Sequence, residues 1–273
     1  MKVVALIVNE PGALELWTLK RLADVAEIRI VRGVSASGTS RWRQLGRLMR
    51  DLGPAGVASR LLAGRLIRRR ESLREAELLD RLLDGRHLRE WWAASGLAPV
   101  DVPDLNHPDA GRHIALSEPD LIVRVSGGVL RRATFSLARL ATLNIHHGRA
   151  PEIRGMFSIL WGIVENRREW IGATVHLIDD GVDTGTVLWR GAPQLAPGDT
   201  GAHLLFRAHL EAVEALVRIV CNYAEAGQSP PVAGAKQGPS VYRSAPGLAP
   251  WLRYLRLGRG RRARVTLERA LRC

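Results

Sequence analysis

The chain has 273 residues, of which 46% are hydrophobic and 25% charged, and a formal net charge of +13. This composition supplies enough apolar residues for a packed core and excludes a disordered polypeptide. Its two cysteines, Cys221 and Cys273, exclude a disulfide framework and a cysteine-rich zinc site. No apolar run approaches the ~20 residues that cross a bilayer, and the apolar start of the chain is too short for a signal peptide. We therefore expect a soluble, cytoplasmic protein.

The positive charge is concentrated in two segments. Residues 41–95 contain 13 arginines against seven acidic residues, a net charge of +6. Residues 229–273 contain ten basic residues against one acidic residue, a net charge of +9, and the rest of the chain carries −2. Basic segments can bind nucleic acid, anionic lipid or phosphate-bearing molecules, but a general bias toward arginine explains the pattern equally well. The charge alone does not assign a nucleic-acid-binding function.

The first 40 residues predict the start of an open parallel α/β sheet. Val3–Asn9 has the apolar pattern of a buried strand, and Glu10-Pro11-Gly12 turns it into a helix near Leu14–Val25. A second strand is predicted at Glu27–Val31, followed by a loop of small residues over Gly33–Ser40. This strand–helix–strand order is typical of α/β folds.

An arginine-rich helical insert over residues 41–95 interrupts this pattern. An amphipathic helix is predicted from Trp42 and breaks at Gly53-Pro54, a second runs from about Val57 to Leu83, and Trp91-Trp92 closes the segment. We expect these helices to pack over the sheet with their arginines in water. A basic amphipathic helix can also lie on anionic lipid, so a peripheral membrane contact stays open for this segment.

Alternating strands and helices resume after the insert. The elements predicted here are strands at Val100–Pro103, Asp120–Val125, Ala141–His146 and Thr186–Arg190, and helices at His113–Leu116, Leu130–Leu140 and Ala202–Ala224. Ligands of open α/β sheets bind at the carboxyl ends of the strands. Asn144 and His146, at the end of one predicted strand, are therefore candidates for chemistry.

Three short motifs in the second half of the chain carry polar groups. Asn144 and His146 are two residues apart in a strand, so their side chains face the same side. Gly172–Leu177 is a second alternating strand and contains His176, and Asp179–Gly185 is a turn rich in acidic residues and glycine. The turn lacks the ligand spacing of an EF-hand, and the histidines lack that of a zinc site, so we expect no metal.

Together these motifs resemble the folate-dependent formyltransferase family, which includes glycinamide ribonucleotide, methionyl-tRNA and sugar N-formyltransferases. The pattern of that family is Asn-x-His, a Pro-x-x-(Arg/Pro)-Gly loop, Gly-x-Thr/Ser-x-His and Asp-x-Gly. This chain matches it at Asn144 and His146, Pro151–Gly155, Gly172–His176 and Asp183–Gly185. The resemblance covers roughly residues 1–35 and 96–225. The chain departs from the pattern in the loop after His146, where His147-Gly148-Arg149-Ala150 replaces a segment that usually contains serine.

The resemblance implies a Rossmann-like, mostly parallel sheet with helices on both faces. A catalytic domain at residues 1–225 would contain the helical insert, and a short basic C-terminal extension would follow at 226–273. The implied reaction moves a formyl group from 10-formyltetrahydrofolate to an amine.

The resemblance also implies a role for each catalytic side chain. Asn144 and His146 would donate hydrogen bonds to the oxyanion that forms when an amine attacks the formyl carbon. Asp183 would favour the protonated imidazole and collect the proton that the amine loses. His176 would support this group, with a purely structural role as the alternative. Alignment back from Asn144 places the coenzyme's pterin ring between two walls, one formed by Gly127, Gly128, Val129 and Leu130, the other by Asp179 and Val182.

The acceptor amine follows from elimination among family members. The segment after the last predicted helix shows no alternating strands for the β-barrel domain of methionyl-tRNA formyltransferases. We therefore expect an amino sugar, nucleotide- or lipid-linked, or another specialised-metabolite amine, with arginines that clamp its phosphates. Formyltetrahydrofolate hydrolysis at the same site is one alternative. RNA or membrane binding is another, but aromatic residues are not interleaved with the arginines of the extension, which argues against nucleic acid. A homodimer contact through the extension also stays open.

Overall fold

A seven-stranded sheet forms the centre of the protein. The structure, a computed structural model, describes residues 1–34, 39–228 and 240–259, and within them the side chains except at 39–48, 51, 258 and 259. The strands are β1 (Lys2–Val8), β2 (Glu27–Gly33), β3 (Val100–Val102), β4 (Leu121–Arg124), β5 (Ala141–His146), β6 (Ile153–Gly155), β7 (Ala173–Leu177), β8 (Val187–Gly191) and β9 (Val241–Arg243). The sheet order is β3-β2-β1-β4-β5-β7-β8, and β6 pairs separately with β9. The first five strands of this order are parallel, and β7 runs antiparallel to β5 and β8.

Helices cover this sheet on both faces. The described residues contain α1 (Ala13–Ala23), α2 (Thr39–Ala63), α3 (Arg69–Leu82), α4 (Gly85–Ala94), α5 (Pro108–Leu116), α6 (Arg132–Phe135), α7 (Ser158–Glu165), α8 (Gly201–Ala226) and α9 (Leu248–Arg259). On one face, Val3 and Ile7 of β1 pack with residues of α1 and α8, among them Leu216. On the other, Val4 packs with Ile114 of α5. This alternation buries the parallel strands from both sides and confirms the predicted Rossmann-like α/β fold.

The insert is helical, as predicted. α2 is interrupted at Gly53, whose backbone φ of 65° is not helical, and it resumes at Pro54. A π-helical turn at Gly64–Arg68 then joins it to α3. Ala63 and Ile67 of the insert share a buried cluster with residues of α7 and α9. Trp91 and Trp92, at its end, pack against the core cluster that contains residues of the sheet strands. No helix among the described residues is long and apolar enough to cross a membrane.

The described part of the C-terminal extension belongs to the fold. β9 pairs in parallel with β6, with Arg243 opposite Gly155, and the Arg243 carbonyl accepts a hydrogen bond from Met156 N (2.7 Å). In α9, the Trp251 side chain is only 4% exposed. The arginines expected beyond residue 259 lie outside the described residues, as does the 35–38 part of the predicted small-residue loop.

One predicted helix is wrong over most of its length. Of Leu130–Leu140, only α6 is helical. The following residues bend back toward the sheet, because Arg139 N and Leu140 N donate hydrogen bonds to the carbonyls of Pro119 and Asp120. This bend feeds the chain directly into β5.

Candidate active site

Two neighbouring strands position the candidate catalytic side chains. In the antiparallel register of β5 and β7, Asn144 lies opposite His176, and His146 lies opposite Thr174. Asn144, His146 and His176 are all buried. Two positions in β5 and one in β7 thus bring an amide and two imidazoles to one edge of the sheet.

Hydrogen bonds fix the orientation of the Asn144 amide. Its Oδ1 accepts a hydrogen bond from Arg124 Nε (2.8 Å), and its Nδ2 lies 2.9 Å from His176 Nε2. Nδ1 of His176 lies 2.7 Å from the Leu177 carbonyl, to which it donates. His176 Nε2 therefore accepts one N–H of the Asn144 amide, and the second N–H remains as a donor.

Asp183 joins the two histidines. Its Oδ2 lies 3.4 Å from His146 Nδ1 and accepts a hydrogen bond from Gly155 N (2.9 Å), and its Oδ1 lies 3.6 Å from His176 Nε2. Its backbone φ of 52° is left-handed, a region that residues other than glycine seldom adopt. Several contacts therefore hold the carboxylate behind the imidazoles in spite of an unfavourable backbone conformation.

The charge states of Asp183 and His146 have different causes. Burial alone would raise the pKa of Asp183, but its contact with His176, the charge of His146 and the Gly155 N–H outweigh burial and hold this pKa below its usual value. Burial lowers the pKa of His146, and Asp183 opposes this shift only partly. The expected stabilisation of the protonated imidazole is present, but burial is the larger effect. At neutral pH the site therefore pairs an ionised carboxylate with a neutral imidazole.

The loop after β5 differs from the family pattern in a way that the structure explains. A Cβ at Gly148 would lie 2.5 Å from His146 Nε2 and 2.6 Å from Ser158 Cβ, so a serine does not fit there. Ser158, the first residue of α7, instead places its Oγ 3.4 Å from His146 Nε2. The Thr174 hydroxyl holds the loop by donating to the Gly148 carbonyl (2.7 Å).

A second pair of histidines, the half-buried His147 and the buried His209, lies beside this loop. His147 Nε2 is 3.0 Å from His209 Nδ1 in α8, and His209 Nε2 is 3.0 Å from Thr18 Oγ1 and 3.1 Å from the Leu14 carbonyl. Burial lowers the pKa of His209 to about 4 and that of His147 well below its usual value. The pair is therefore neutral and ties the loop to α1 and α8.

The glycine loop expected to hold the pterin lies at the end of β4. Gly127 has a φ of 113°, and a Cβ there would lie 2.8 Å from Val8 Cγ2, so glycine is required. No atom lies within 4 Å of the position that a Cβ would take on Gly128, so a flat ring can approach the backbone there. Val129 is 57% exposed, whereas Leu130 is part of the core.

The opposite predicted wall is an ordered turn. Asp179 Oδ1 accepts hydrogen bonds from Gly181 N (3.0 Å) and Thr184 Oγ1 (2.6 Å), so this carboxylate shapes the turn. The Val182 carbonyl accepts one from Arg154 (3.3 Å). An exposed ion pair between Arg132 and Asp180 joins this turn to the segment after the glycine loop. The turn and the segment after the glycine loop are thus connected, and the Leu130 side chain lies in the core rather than facing the turn.

Arg124 was not among the residues predicted from the sequence. Besides Asn144, its guanidinium contacts the carbonyls of Gly127 (3.2 Å) and Gly128 (2.7 Å). Burial lowers its pKa, and the Asp183 charge opposes that shift. Arg124 lies opposite Asn144 in the β4–β5 register, so its place at the end of a strand was the available signal.

A cavity of about 680 Å³ opens from Asn144 and His146. Of the predicted coenzyme-binding residues, Gly127 lines it, and the others belong to the neighbouring loop and turn. Its walls come mainly from α7, from α3 of the insert, from the start of α8 and from α9. The described residues contain no group of three or more His, Cys, Asp or Glu side chains that could hold a metal ion.

Comparison with known proteins relates part of the chain to one family. Residues 98–220 match the family model described as formyl transferase. A methionyl-tRNA formyltransferase of Chlorobium chlorochromatii is 34% identical over 135 residues, which cover 48% of this chain and 43% of that protein. The chain thus matches less than half the length of this relative.

Solved structures share the fold at low sequence identity. A sugar N-formyltransferase from a Shewanella species superposes with a TM-score of 0.54 at 13% identity, over 89% of this chain and 77% of that one. HypX from Aquifex aeolicus, in complex with tetrahydrofolic acid, gives a TM-score of 0.50 at 15% identity, over 88% and 29%. Over residues 98–220 the chain is thus similar to the formyltransferases, and the solved structures share its fold.

Proposed function

We propose that the protein transfers the formyl group of 10-formyltetrahydrofolate to a primary amine, and that Asn144, His146 and Asp183 carry the reaction. The observation that supports this most directly is the cluster at the β5–β7 edge. There the Asp183 carboxylate lies 3.4 Å from the neutral imidazole of His146 and 3.6 Å from His176. The Asn144 amide lies 2.9 Å from the same His176. Acyl transfer to an amine requires these three functions, namely oxyanion stabilisation, a base and a counter-charge.

The side chains divide the work of the proposed reaction. The coenzyme supplies the formyl carbon, and the amine nitrogen attacks it. Asn144 Nδ2 donates a hydrogen bond to the developing oxyanion. Because His146 Nε2 donates to the Ile153 carbonyl (3.1 Å), the neutral imidazole accepts at Nδ1, beside Asp183, the proton that the amine nitrogen loses. Asp183 stabilises the imidazolium, which returns the proton to the departing nitrogen of the coenzyme. The carbon–nitrogen bond to the coenzyme breaks as the formamide forms, so protons and bonds balance.

The coenzyme position rests on the glycine loop. We place the pterin between Gly127–Leu130 and the Asp179–Asp183 turn. The open space at Gly128 supports this placement, as does the exposed backbone of Val129. The acceptor would enter through the large cavity, and an amino sugar, nucleotide- or lipid-linked, is the class that we propose for it.

Incubation with 10-formyltetrahydrofolate and a panel of amines tests this function. We expect release of tetrahydrofolate together with an N-formylated amine detected by mass spectrometry. Free formate in the absence of any amine would instead assign the hydrolase reaction. The His146→Ala variant should form neither product, and no coenzyme turnover with any amine would contradict the proposal.

A contact of the insert with anionic lipid is a second candidate function. Leu61, Leu66 and Leu73 are exposed by 59–65%, and Arg65 and Arg69 lie between them on the same helical stretch. Apolar side chains flanked by arginines suit a membrane interface. Co-sedimentation with vesicles of phosphatidylcholine and phosphatidylglycerol tests it. Binding that salt weakens and that Leu66→Ser reduces would support the contact, and equal binding to neutral vesicles would contradict it.

A further inference from the structure

The cavity that opens from Asn144 and His146 has an apolar lining outside the catalytic cluster. Its volume of about 680 Å³ lies well within the range of about 300–1,000 Å³ typical of sites that enclose a small organic ligand. Most of its apolar side chains come from α3 of the insert, from α7, from the start of α8 and from α9, among them Leu78, Ile163, Leu205 and Trp251. Val125, Ile145 and Ile171 line it beside the catalytic cluster, so the helices supply the larger share of the apolar lining.

The charged residues of the lining do not suit a phosphate. The described lining contains three arginines, and all three are engaged. Arg74 pairs with Glu71 (2.8 Å), Arg124 holds Asn144 and the glycine loop, and Arg168 also has an interaction partner. Four acidic residues line the same cavity. A diphosphate would therefore meet more negative charge than free positive charge among the described side chains.

The helix α8 also offers little to an anion, although it begins at the cavity. Thr200 caps it through a hydrogen bond from His203 N (3.4 Å), and Gly201 N donates to the Tyr254 hydroxyl (3.2 Å). Two of its first amide groups are thus already satisfied by side chains. The usual backbone site for a phosphate is occupied by protein groups.

Two polar groups in the lining lack partners. Trp251 Nε1 is buried and has no hydrogen-bond partner among the described residues. Glu75 of α3 is half-buried, and no hydrogen bond or ion pair reaches it from the described part of the chain. Burial, and after it the charge of Glu71, raises the pKa of Glu75. Both groups lie near Tyr254. The rings of Tyr254 and Trp251 are 5.8 Å apart. Burial and, to a smaller extent, the charge of Glu75 raise the pKa of the Tyr254 hydroxyl.

We infer that the acceptor amine is attached to an apolar body that fills this cavity, rather than to a nucleotide. This rests on the proposed formyl transfer and favours the lipid-linked class over the nucleotide-linked class. The amine lies at Asn144 and His146, the apolar body lies between α7, α8 and α9, and an uncharged polar group meets Glu75. The insert and extension thus select the substrate, while the sheet edge performs the chemistry.

Primary alkylamines from butylamine to decylamine test this inference. Each added methylene that enters the cavity should lower the KM for the amine about fourfold at an almost constant kcat, from the transfer free energy of a buried methylene. Ile163→Trp and Leu205→Trp, two half-buried positions in the lining, should each abolish this dependence by filling the space. Leu116→Trp, at a position that is 80% exposed on α5, is the matched control and should leave the series unchanged.

A KM that does not depend on chain length would overturn the inference, as would a nucleotide-linked amino sugar preferred over decylamine. Calorimetric titration of decylamine into the His146→Ala variant separates the two proposals, because this variant should bind without turnover. Binding without formylation by the wild type would contradict formyl transfer and keep the apolar cavity. Formylation of a nucleotide-linked sugar without binding of decylamine would support formyl transfer and contradict the apolar cavity as the acceptor site.

Discussion

Two parts of the site are assembled in different ways: the sheet edge, which carries Arg124, Asn144, His146 and His176, and the cavity wall, which is formed by α3, α7 and α9. At the edge, β4, β5 and β7 are neighbours, so Arg124, Asn144 and His176 meet through strand register alone. The wall instead combines α3 of the insert, α7, and α9 of the extension, which are separated by up to about 170 residues of sequence. The comparison indicates that a common reaction centre can be kept in place by the sheet while added helices alter what reaches it.

The largest effect should come from the edge. His146→Ala removes the proposed base, so we expect kcat to fall by about 10²–10⁴-fold. The melting temperature should change little by comparison, and His113→Ala, at an exposed histidine of α5, is the matched control. Near-normal turnover by His146→Ala would show that the edge does not carry the chemistry.

The largest effect on stability should come from the wall. Trp251→Ala removes a buried indole that contacts Phe157 and Tyr254, and we expect the free energy of unfolding to fall by about 3–5 kcal/mol. Leu252→Ala, a half-exposed neighbour on α9, should cost much less. Denaturant unfolding measures both. If both variants lost the same free energy of unfolding, the Trp251 indole would not be the group that anchors α9.

Arg124→Lys tests whether the edge depends on the orientation of one amide. A lysine cannot contact Asn144 Oδ1 and both glycine carbonyls at once, so we expect kcat/KM to fall by about 10–100-fold. The losses should appear in both kcat and the KM for the coenzyme. A change confined to the KM for the amine would place Arg124 with the wall instead.

The smallest effect should be a shift of the pH profile. Asp183→Asn removes the negative charge that raises the pKa of His146, while burial continues to lower it. Because the neutral imidazole is the active form, activity is lost as the pH falls through this pKa. The acid limb of kcat against pH should therefore move to lower pH in the variant, alongside a reduced maximum. A shift to higher pH would contradict the assigned contact between Asp183 and His146.

The side chains of the sheet edge could be predicted because they lie within short strand patterns of the sequence. Asn144 and His146 are two residues apart in a strand, and His176 lies in a second strand with the same alternation, so geometry and motif agree. The turn at Asp183 was recognisable from its acidic and glycine content. Arg124 was missed because an arginine at the end of a short strand carries no distinctive pattern.

The wall could not be predicted for a physical reason. The pairing of Ala63 and Ile67 with Leu160 and Trp251 depends on helix packing between distant segments, which apolar periodicity does not specify. For the same reason the predicted helix at Leu130–Leu140 was too long. The carbonyls of Pro119 and Asp120, which lie outside that segment, accept the hydrogen bonds that turn the chain away from a helix. The sequence identified a helical insert and a basic extension, but not that they share one buried cluster.

The β6–β9 pair couples the C-terminal extension to Asp183. Gly155 of β6 gives its amide hydrogen to Asp183, and on its other side it adjoins Arg243 of β9. A substitution that unpairs β9 would leave β6 without its partner. The carboxylate behind His146 would then lose a fixed hydrogen-bond donor, although every residue of the central sheet remained in place.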